Sequence, residues 1–157
     1  MKTIVIGDRE YAVSRADASD LAELVALLSD DVLGAERESS DLAPYSEAFQ
    51  AIDADPNQLL VVVHDESGQL VATMQLTLFP GLSRRGATRL QIEAVRVAPS
   101  VRGGGLGAAM IDWAHEYGRQ HGARIAQLTS DARRTDAHRF YERLGYVDSH
   151  VGFKFEL

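Results

Sequence analysis

The chain has 157 residues, 45% of them hydrophobic and 25% charged, which suits one domain with a substantial core and leaves no room for a second independent one. It contains no cysteine, so it offers neither a disulfide framework nor a thiolate nucleophile or zinc–thiolate site, and a reducing, cytoplasmic location is expected. A net charge of −7 argues against a protein that coats nucleic acid, and no run of about 18 apolar residues offers a membrane span. The N-terminal Met1–Asp8 has too short an apolar core for a signal peptide.

Charge is unevenly distributed. Residues 1–80 carry 4 Lys and Arg against 15 Asp and Glu, a balance of −11, whereas residues 81–157 carry 12 against 8, a balance of +4. Between 81 and 107 the basic side chains are Arg84, Arg85, Arg89, Arg96 and Arg102, and the single acid is Glu93. A polyanionic ligand near that segment is one explanation, and an amine attracted to the acidic half is its counterpart. A surface that merely falls this way is the other.

In chain order, Thr3–Ile6 and Tyr11–Arg15 read as a hairpin around Gly7-Asp8. Asp17 is a plausible N-cap for a helix with Leu21, Leu24, Val25 and Leu28 at helical spacing. A second helix is expected from about Pro44 to Asp53, after a polar loop over Leu33–Ser40. The β-branched run Leu59–Asp65, the turn Glu66-Ser67-Gly68 and the run Leu70–Phe79 predict antiparallel hairpin strands. A basic connection, Leu82–Ala87, leads to a strand over Thr88–Val97. From Leu106 a helix is expected to about His121, with Leu106, Ala109, Met110, Trp113 and Tyr117 on its apolar face, Trp113 in the core and Gly122 as its stop. Ile125–Thr129 is expected as a parallel strand, followed by a short helix ending at Gly145 and by strands near Tyr146-Val147 and Val151–Phe155. This is an α+β pattern with a mixed sheet and no internal repeat.

The segment that carries chemistry runs from Val95-Arg96-Val97-Ala98-Pro99 through Arg102 into Gly103-Gly104-Gly105-Leu106-Gly107-Ala108. Glycines admit backbone conformations closed to other residues and let N–H groups approach a ligand. The helix start that follows has unpaired N–H groups and partial positive charge, so a pyrophosphate cradle with Arg102 at its mouth is expected. The glycines fit G-x-G-x-x-A with Asp131 downstream, so a NAD(P)-binding domain is an alternative. Its context is unusual, because the pattern follows an antiparallel hairpin and is separated from its strand by Pro99–Arg102. No Lys-Ser/Thr pair follows the glycines, as a P-loop requires, and neither G-x-S-x-G nor H-E-x-x-H is present. His64, His115 and His121 lack ligand spacing, and no metal site is assigned.

With its flanks, this segment resembles the GNAT N-acetyltransferase superfamily. Arg102–Gly107 matches Q/R-x-x-G-x-G/A after a V-x-V-x-P strand, Val95–Pro99, and Ala137-His138-Arg139-Phe140-Tyr141-Glu142-Arg143-Leu144-Gly145-Tyr146 matches A-x-x-F-Y-x-x-L-G-F/Y. Leu128-Thr129-Ser130, Asp136–Tyr141 and Ser149-His150 are similar to the tail of aminoalkylphosphonate N-acetyltransferases. The resemblance implies a single GNAT domain over residues 1–157, a mixed central sheet flanked by helices, and acetyl transfer from acetyl-CoA to a small-molecule primary amine within a ternary complex.

It also implies roles. Backbone N–H groups of Gly103, Gly104, Gly105, Leu106, Gly107 and Ala108 would bind pyrophosphate with Arg102, Val95 and Val97 would pair with the pantetheine arm, and the Val95 N–H would stabilise the oxyanion. Tyr141 takes the position of the acid that protonates departing CoA, its alternative being a half-buried core tyrosine. Glu93 is the candidate base on strand parity with Val95 and Val97 and its isolation among basic residues; an ion pair with Arg89 or Arg96, and a water relay, stand as alternatives. Arg134 replaces an Asn that in the family contacts CoA, and offers a phosphate salt bridge instead. His138 and His150 are either substrate contacts or structural. The acceptor pocket is expected among the first helices, the Leu82–Ala87 connection and the C-terminal strands. A homodimer through those strands is left open, and a non-catalytic acyl-CoA-binding module is the alternative from another class.

Overall fold

The structure is a computed structural model that describes residues 2–30 and 37–157. Those residues form two compact units, Met1–Gln127 and Leu128–Leu157. Part of the Leu33–Ser40 loop lies outside the described residues.

The first unit holds the sheet. β1 (Lys2–Ile6) and β2 (Arg9–Arg15) make the expected hairpin, β3 (Gln58–His64) and β4 (Leu70–Pro80) a second, and β5 (Thr88–Val97) and β6 (Ala123–Leu128) complete six strands in sequential order β1-β2-β3-β4-β5-β6. The β1–β2, β2–β3, β3–β4 and β4–β5 pairs are antiparallel. The crossover helix between β5 and β6 makes the sheet mixed.

Asp17 caps the entry to the first helix as expected: its carboxylate accepts from the Ser19 N–H and hydroxyl, and Asp20 reaches back to the Asp17 N–H. A 3₁₀ turn, Ala18–Asp20, then feeds α1 (Leu21–Leu28). Leu24 and Leu27 of α1 pack on Val62, Leu70 and Ala16, with Phe49 of α2 (Ala43–Ala54) and Leu60 alongside. Arg15 ties α2 to the sheet through Asp53 at 2.9 Å and the Gln58 carbonyl at 3.0 Å. Cross-strand partners share a face, so α1 and α2 cover the face that carries Leu60, Val62, Gln75 and Glu93.

α3 (Leu106–Gln120) lies on the other face, where Leu90 and Ile92 are buried. Its buried stripe differs from the sequence reading: it is Leu106, Met110, Ile111, Ala114 and Gly118, while Trp113 and Tyr117 sit half-exposed beside it. The reason is closeness. A Cβ on Gly118 would stand 3.0 Å from Leu90 Cδ2 and 3.5 Å from Ala123 Cβ, so only small residues fit where the helix meets the sheet. The aromatics stack on each other instead, with ring centroids 5.8 Å apart and Lys2 Nζ 5.7 Å from the Trp113 ring. Gly122, with φ of +77°, ends the helix as expected.

The second unit contains α4 (Thr135–Arg143), stopped by Gly145 at φ of +88°. The expected C-terminal strands are absent: residues 146–157 carry no strand, and Val151, Phe153, Phe155 and Leu157 are 80–118% exposed. Their apolar alternation is a strand pattern, but a pattern without a hydrogen-bonding ladder is not a strand.

Two outcomes follow for this architecture. Leu106→Ala removes a side chain that is 1% exposed at the start of α3 and should cost about 2–5 kcal/mol, read as a lower urea midpoint at unchanged m. Bonds from the Ser19 hydroxyl and N–H hold the Asp17 carboxyl below its ordinary range. Its folded value lies below the unfolded one, so its contribution is complete above about pH 4 and is lost as pH falls further. Asp17→Asn, which caps without titrating, should flatten that acid limb.

Candidate active site

The central feature is an irregularity in β5. Gln75 pairs with Glu93 and Thr73 with Arg96, so Met74 alone faces the two residues Ala94 and Val95. This is a β-bulge, and Ala94 adopts φ of +50°, a conformation L-residues rarely take. Thr73 and Gln75 lie on one face of the unbulged β4, so Glu93 and Arg96 share that face and Val95 and Val97 do not. The parity once expected between Glu93 and the valines is therefore broken by the bulge.

Glu93 is exposed and makes no ion pair with Arg89 or Arg96 among the described residues. The Arg96 guanidinium instead donates to the Val95 carbonyl at 3.0 Å. Around Glu93 lies a row of half-buried amides: Gln75 donates to Gln58 at 2.8 Å, and Gln127 of β6 donates to Gln91 of β5 at 2.8 Å. That last bond links the side chains of the last two strands. β6 neighbours β5 in the sheet and ends at Leu128, whereas β5 runs on to Val97.

The strand then leads into the glycines. Ala98–Arg102 tighten into a 3₁₀ turn through N–H bonds from Val101 to Ala98 and from Arg102 to Pro99. Gly103 and Gly105 take φ of +79° and +92°, and Gly105 caps α3. The first α3 bond in this region runs from the Ala109 N–H to the Gly105 carbonyl, at 3.1 Å. The N–H groups of Gly103, Gly104, Gly105, Leu106, Gly107 and Ala108 thus have no protein acceptor among the described residues. Six such donors follow one another at the positive end of a 15-residue helix, an end suited to phosphate oxygens.

Arg102 stands at this turn, but it is engaged. Its Nε donates to the Val97 carbonyl at 2.8 Å, and a terminal nitrogen donates to Asp30, at the end of α1, also at 2.8 Å. Both partners are partly exposed, so the pair is worth about 0–1 kcal/mol. Beside α1 a cleft of about 420 Å³ is lined by Val25, Ser29, Glu38 and Ser40 among others.

In the second unit, Tyr141 is half-buried on α4 between Phe140 and Tyr146, with edge-on ring contacts at 5.1 and 5.7 Å. The Tyr146 phenol, which the sequence reading passed over, is pushed up to about 12 by burial and then by Tyr141, so it keeps its proton through neutral pH. Arg134 is exposed at the N-terminal end of α4. His138 accepts a structural place, its Nε2 lying 2.8 Å from the Asp131 carbonyl, and His150 bonds the neighbouring Ser149 hydroxyl.

A family model described as the Acetyltransferase (GNAT) family matches residues 22–146. The chain belongs to the GNAT acetyltransferase family. It is 43% identical over 63 residues to the aminoalkylphosphonate N-acetyltransferase of Salmonella typhimurium, an alignment spanning 40% of this chain and 41% of that protein. It is 28% identical over 142 residues to the uncharacterized N-acetyltransferase YhfO of Bacillus subtilis, spanning 90% and 92%. Among solved structures, one titled a transcriptional regulator from Bacillus halodurans superposes with a TM-score of 0.89 at 37% identity, covering 94% of this chain and 99% of that one. A putative acetyltransferase from Agrobacterium tumefaciens superposes with a TM-score of 0.81 at 27% identity, covering 93% and 99%.

The glycine turn yields a stability test. Gly105→Ala places a Cβ at φ of +92° and should cost about 1–2 kcal/mol in a urea titration. Gly104→Ala, whose nearest heavy atom would lie at 3.5 Å without a left-handed φ, should cost less. Equal losses at the two positions would remove backbone strain as the reason for glycine at 105.

Proposed function

We propose that the protein transfers an acetyl group from acetyl-CoA to a primary amine of a small molecule, by direct attack within a ternary complex, and that it does so in the cytoplasm. The observation that carries this reading is the set of six N–H groups from Gly103 to Ala108 that have no protein acceptor among the described residues, at the turn that follows the end of β5 at Val97. The turn receives the donor's pyrophosphate, with Arg102 exchanging Asp30 for a phosphate. The extended backbone at Val95 and Val97 pairs with the amide-bearing pantetheine arm as an added strand would.

The β-bulge guides our assignment of the chemistry. It turns the Val95 peptide out of the regular β4 ladder, and the Val95 N–H is the group we place at the thioester oxygen, where negative charge develops. An ammonium with a pKa near 10 must first lose a proton, and Glu93, exposed and unpaired, accepts it directly or through one water. The amine nitrogen then forms its bond to the carbonyl carbon, the nitrogen of the tetrahedral intermediate releases its second proton to water, and the intermediate collapses as the carbon–sulfur bond breaks, water returning a proton to Tyr141 at the end of the cycle. Tyr141 gives its proton to the departing thiolate, a role that rests on the resemblance of the Ala137–Tyr146 segment. Arg134 is assigned to a phosphate of the donor on the same ground.

Calorimetry with acetyl-CoA should show saturable one-site binding, and a CoA-release assay over a broad amine panel should show turnover. A protein that does neither is not an acetyltransferase of this kind. Tyr141→Phe should lower kcat while leaving acetyl-CoA affinity within about twofold; an unaffected rate removes Tyr141 from the mechanism. Glu93→Gln should lower kcat/KM by about 10²–10⁴-fold if Glu93 is the base. A loss below tenfold assigns the proton transfer to water alone.

A further inference from the structure

The end of α3 away from the glycine turn carries a separate cavity. It has a volume of about 230 Å³, lies between the last turns of the helix and the start of β6, and is lined by His115, Arg119, Arg124, Leu90 and Gly118 among others. All of these residues belong to the first unit. Strand alternation explains the lining. Gln91 and Gln127 are bonded to each other on the Glu93 face, so Leu90, Arg124 and Ala126 belong to the face that α3 covers. There a Cβ on Gly118 would stand 3.0 Å from Leu90, so the helix rests directly on β5. Beside that contact β6 offers only the small Ala126, which also lines the cavity.

The floor is apolar and the rim is basic. His115 and Arg119 stand one helical turn apart on α3, and Arg124 enters the same cavity from β6. Arg119 lies 3.6 Å from Glu116 with both side chains more than half exposed, so the pair is weak. A cation in the last turn of a helix also complements the helix dipole, which accounts for Arg119 without a ligand. Arg124 has no such reason: it stands on the strand, and no carboxylate pairs with it among the described residues. Burial, and after it the Arg119 charge, hold the His115 imidazole below its ordinary range, against the opposing charge of Asp112. The ring is therefore neutral at pH 7 and adds a polar group to the rim without adding charge.

From this combination we infer that the protein binds a short-chain monocarboxylate in the α3–β6 cavity, its carboxylate on Arg124 and Arg119 and its alkyl chain on Leu90, Gly118 and Ala126. A guanidinium takes a carboxylate through two parallel N–H bonds, and burial of the alkyl part supplies what a bare inorganic anion lacks. The volume is below the roughly 300–1,000 Å³ of pockets for drug-sized ligands, so the occupant is small. Gly105 and His115 are ten residues apart, about 15 Å along the helix axis, which keeps this site apart from the glycine turn. Its occupant is independent of the acetyltransferase reading.

Calorimetry on the whole chain, with hexanoate, 1-hexanol and inorganic phosphate as probes, tests the assignment. Hexanoate should bind saturably at one site, with a Kd about tenfold or more below those of 1-hexanol and phosphate. Arg124→Gln should raise the hexanoate Kd about tenfold, and Arg124→Lys should recover part of the loss, with circular dichroism to check that both variants are folded. In a proton NMR titration hexanoate should move the ring resonance of His115, assigned through His115→Gln, in the wild type and not in Arg124→Gln. Saturating acetyl-CoA should leave the hexanoate affinity within about twofold. Equal affinity for 1-hexanol, or phosphate bound as tightly as hexanoate, overturns the ligand class. No hexanoate binding, affinity retained in folded Arg124→Gln, an unmoved His115 resonance, or displacement of hexanoate by acetyl-CoA overturns the site itself.

Discussion

One extra residue in β5 sets the geometry on which the candidate site depends. Opposite the single residue Met74, the strand accommodates both Ala94 and Val95, and Ala94 is forced to φ of +50°. For a residue with a Cβ that conformation costs on the order of 1–2 kcal/mol, and the neighbouring packing must supply it. Met74, opposite the bulge, and Ile92, just before it on β5, are buried at 0% and 1% exposure and pack the strands around it. The consequence is a change of face: before the bulge Glu93 belongs with Gln75, and after it the valines turn to the opposite side while Arg96 takes the Glu93 face.

That division separates two kinds of recognition. The proposed donor side is made almost wholly of backbone: the end of β5, the left-handed glycines and the first N–H groups of α3. Backbone donors cannot titrate and change little with side-chain substitution, which suits a ligand common to a large family. The face beneath α1 and α2 is made of side chains, with Gln58, Gln75, Gln91, Glu93, Phe79 and Arg89 in cross-strand order. Side chains can differ from one relative to the next while the strands that carry them stay unchanged.

Electrostatics links the two. The acidic first half of the chain and the basic stretch after it meet at Asp30 and Arg102, 2.8 Å apart. The pair is partly exposed and therefore weak, so it positions the arginine without holding it against a phosphate. Other basic charge lies at Arg84, Arg85 and Arg89, at the far end of the β5 face. Among the described residues, Arg102 at the turn has an acidic partner, whereas Arg84, Arg85 and Arg89 have no carboxylate partner.

Much of this protein is written in local sequence. The hairpins, the Asp17 cap, the extent of α3 and its stop at Gly122, and the glycine turn all follow from short-range rules of turn chemistry, periodicity and capping, because each is decided within a few residues. The tertiary structure decided what depends on partners. The α3 stripe rotated toward Ala114 and Gly118 because helix and sheet approach too closely for Trp113, a distance that no helical period encodes. The alternating Val151, Phe153, Phe155 and Leu157 formed no strand because alternation does not provide a ladder. The bulge at Ala94 left no local mark, since alanine is not the residue that left-handed backbone favours, and so the parity that joined Glu93 to Val95 and Val97 failed. The same cross-strand register brought Arg89 onto Phe79. Sequence alone determined where the glycine turn and the start of α3 leave backbone N–H groups open; only strand pairing decided which side chains share a face, because pairing is a contact between segments that the chain's own order does not specify.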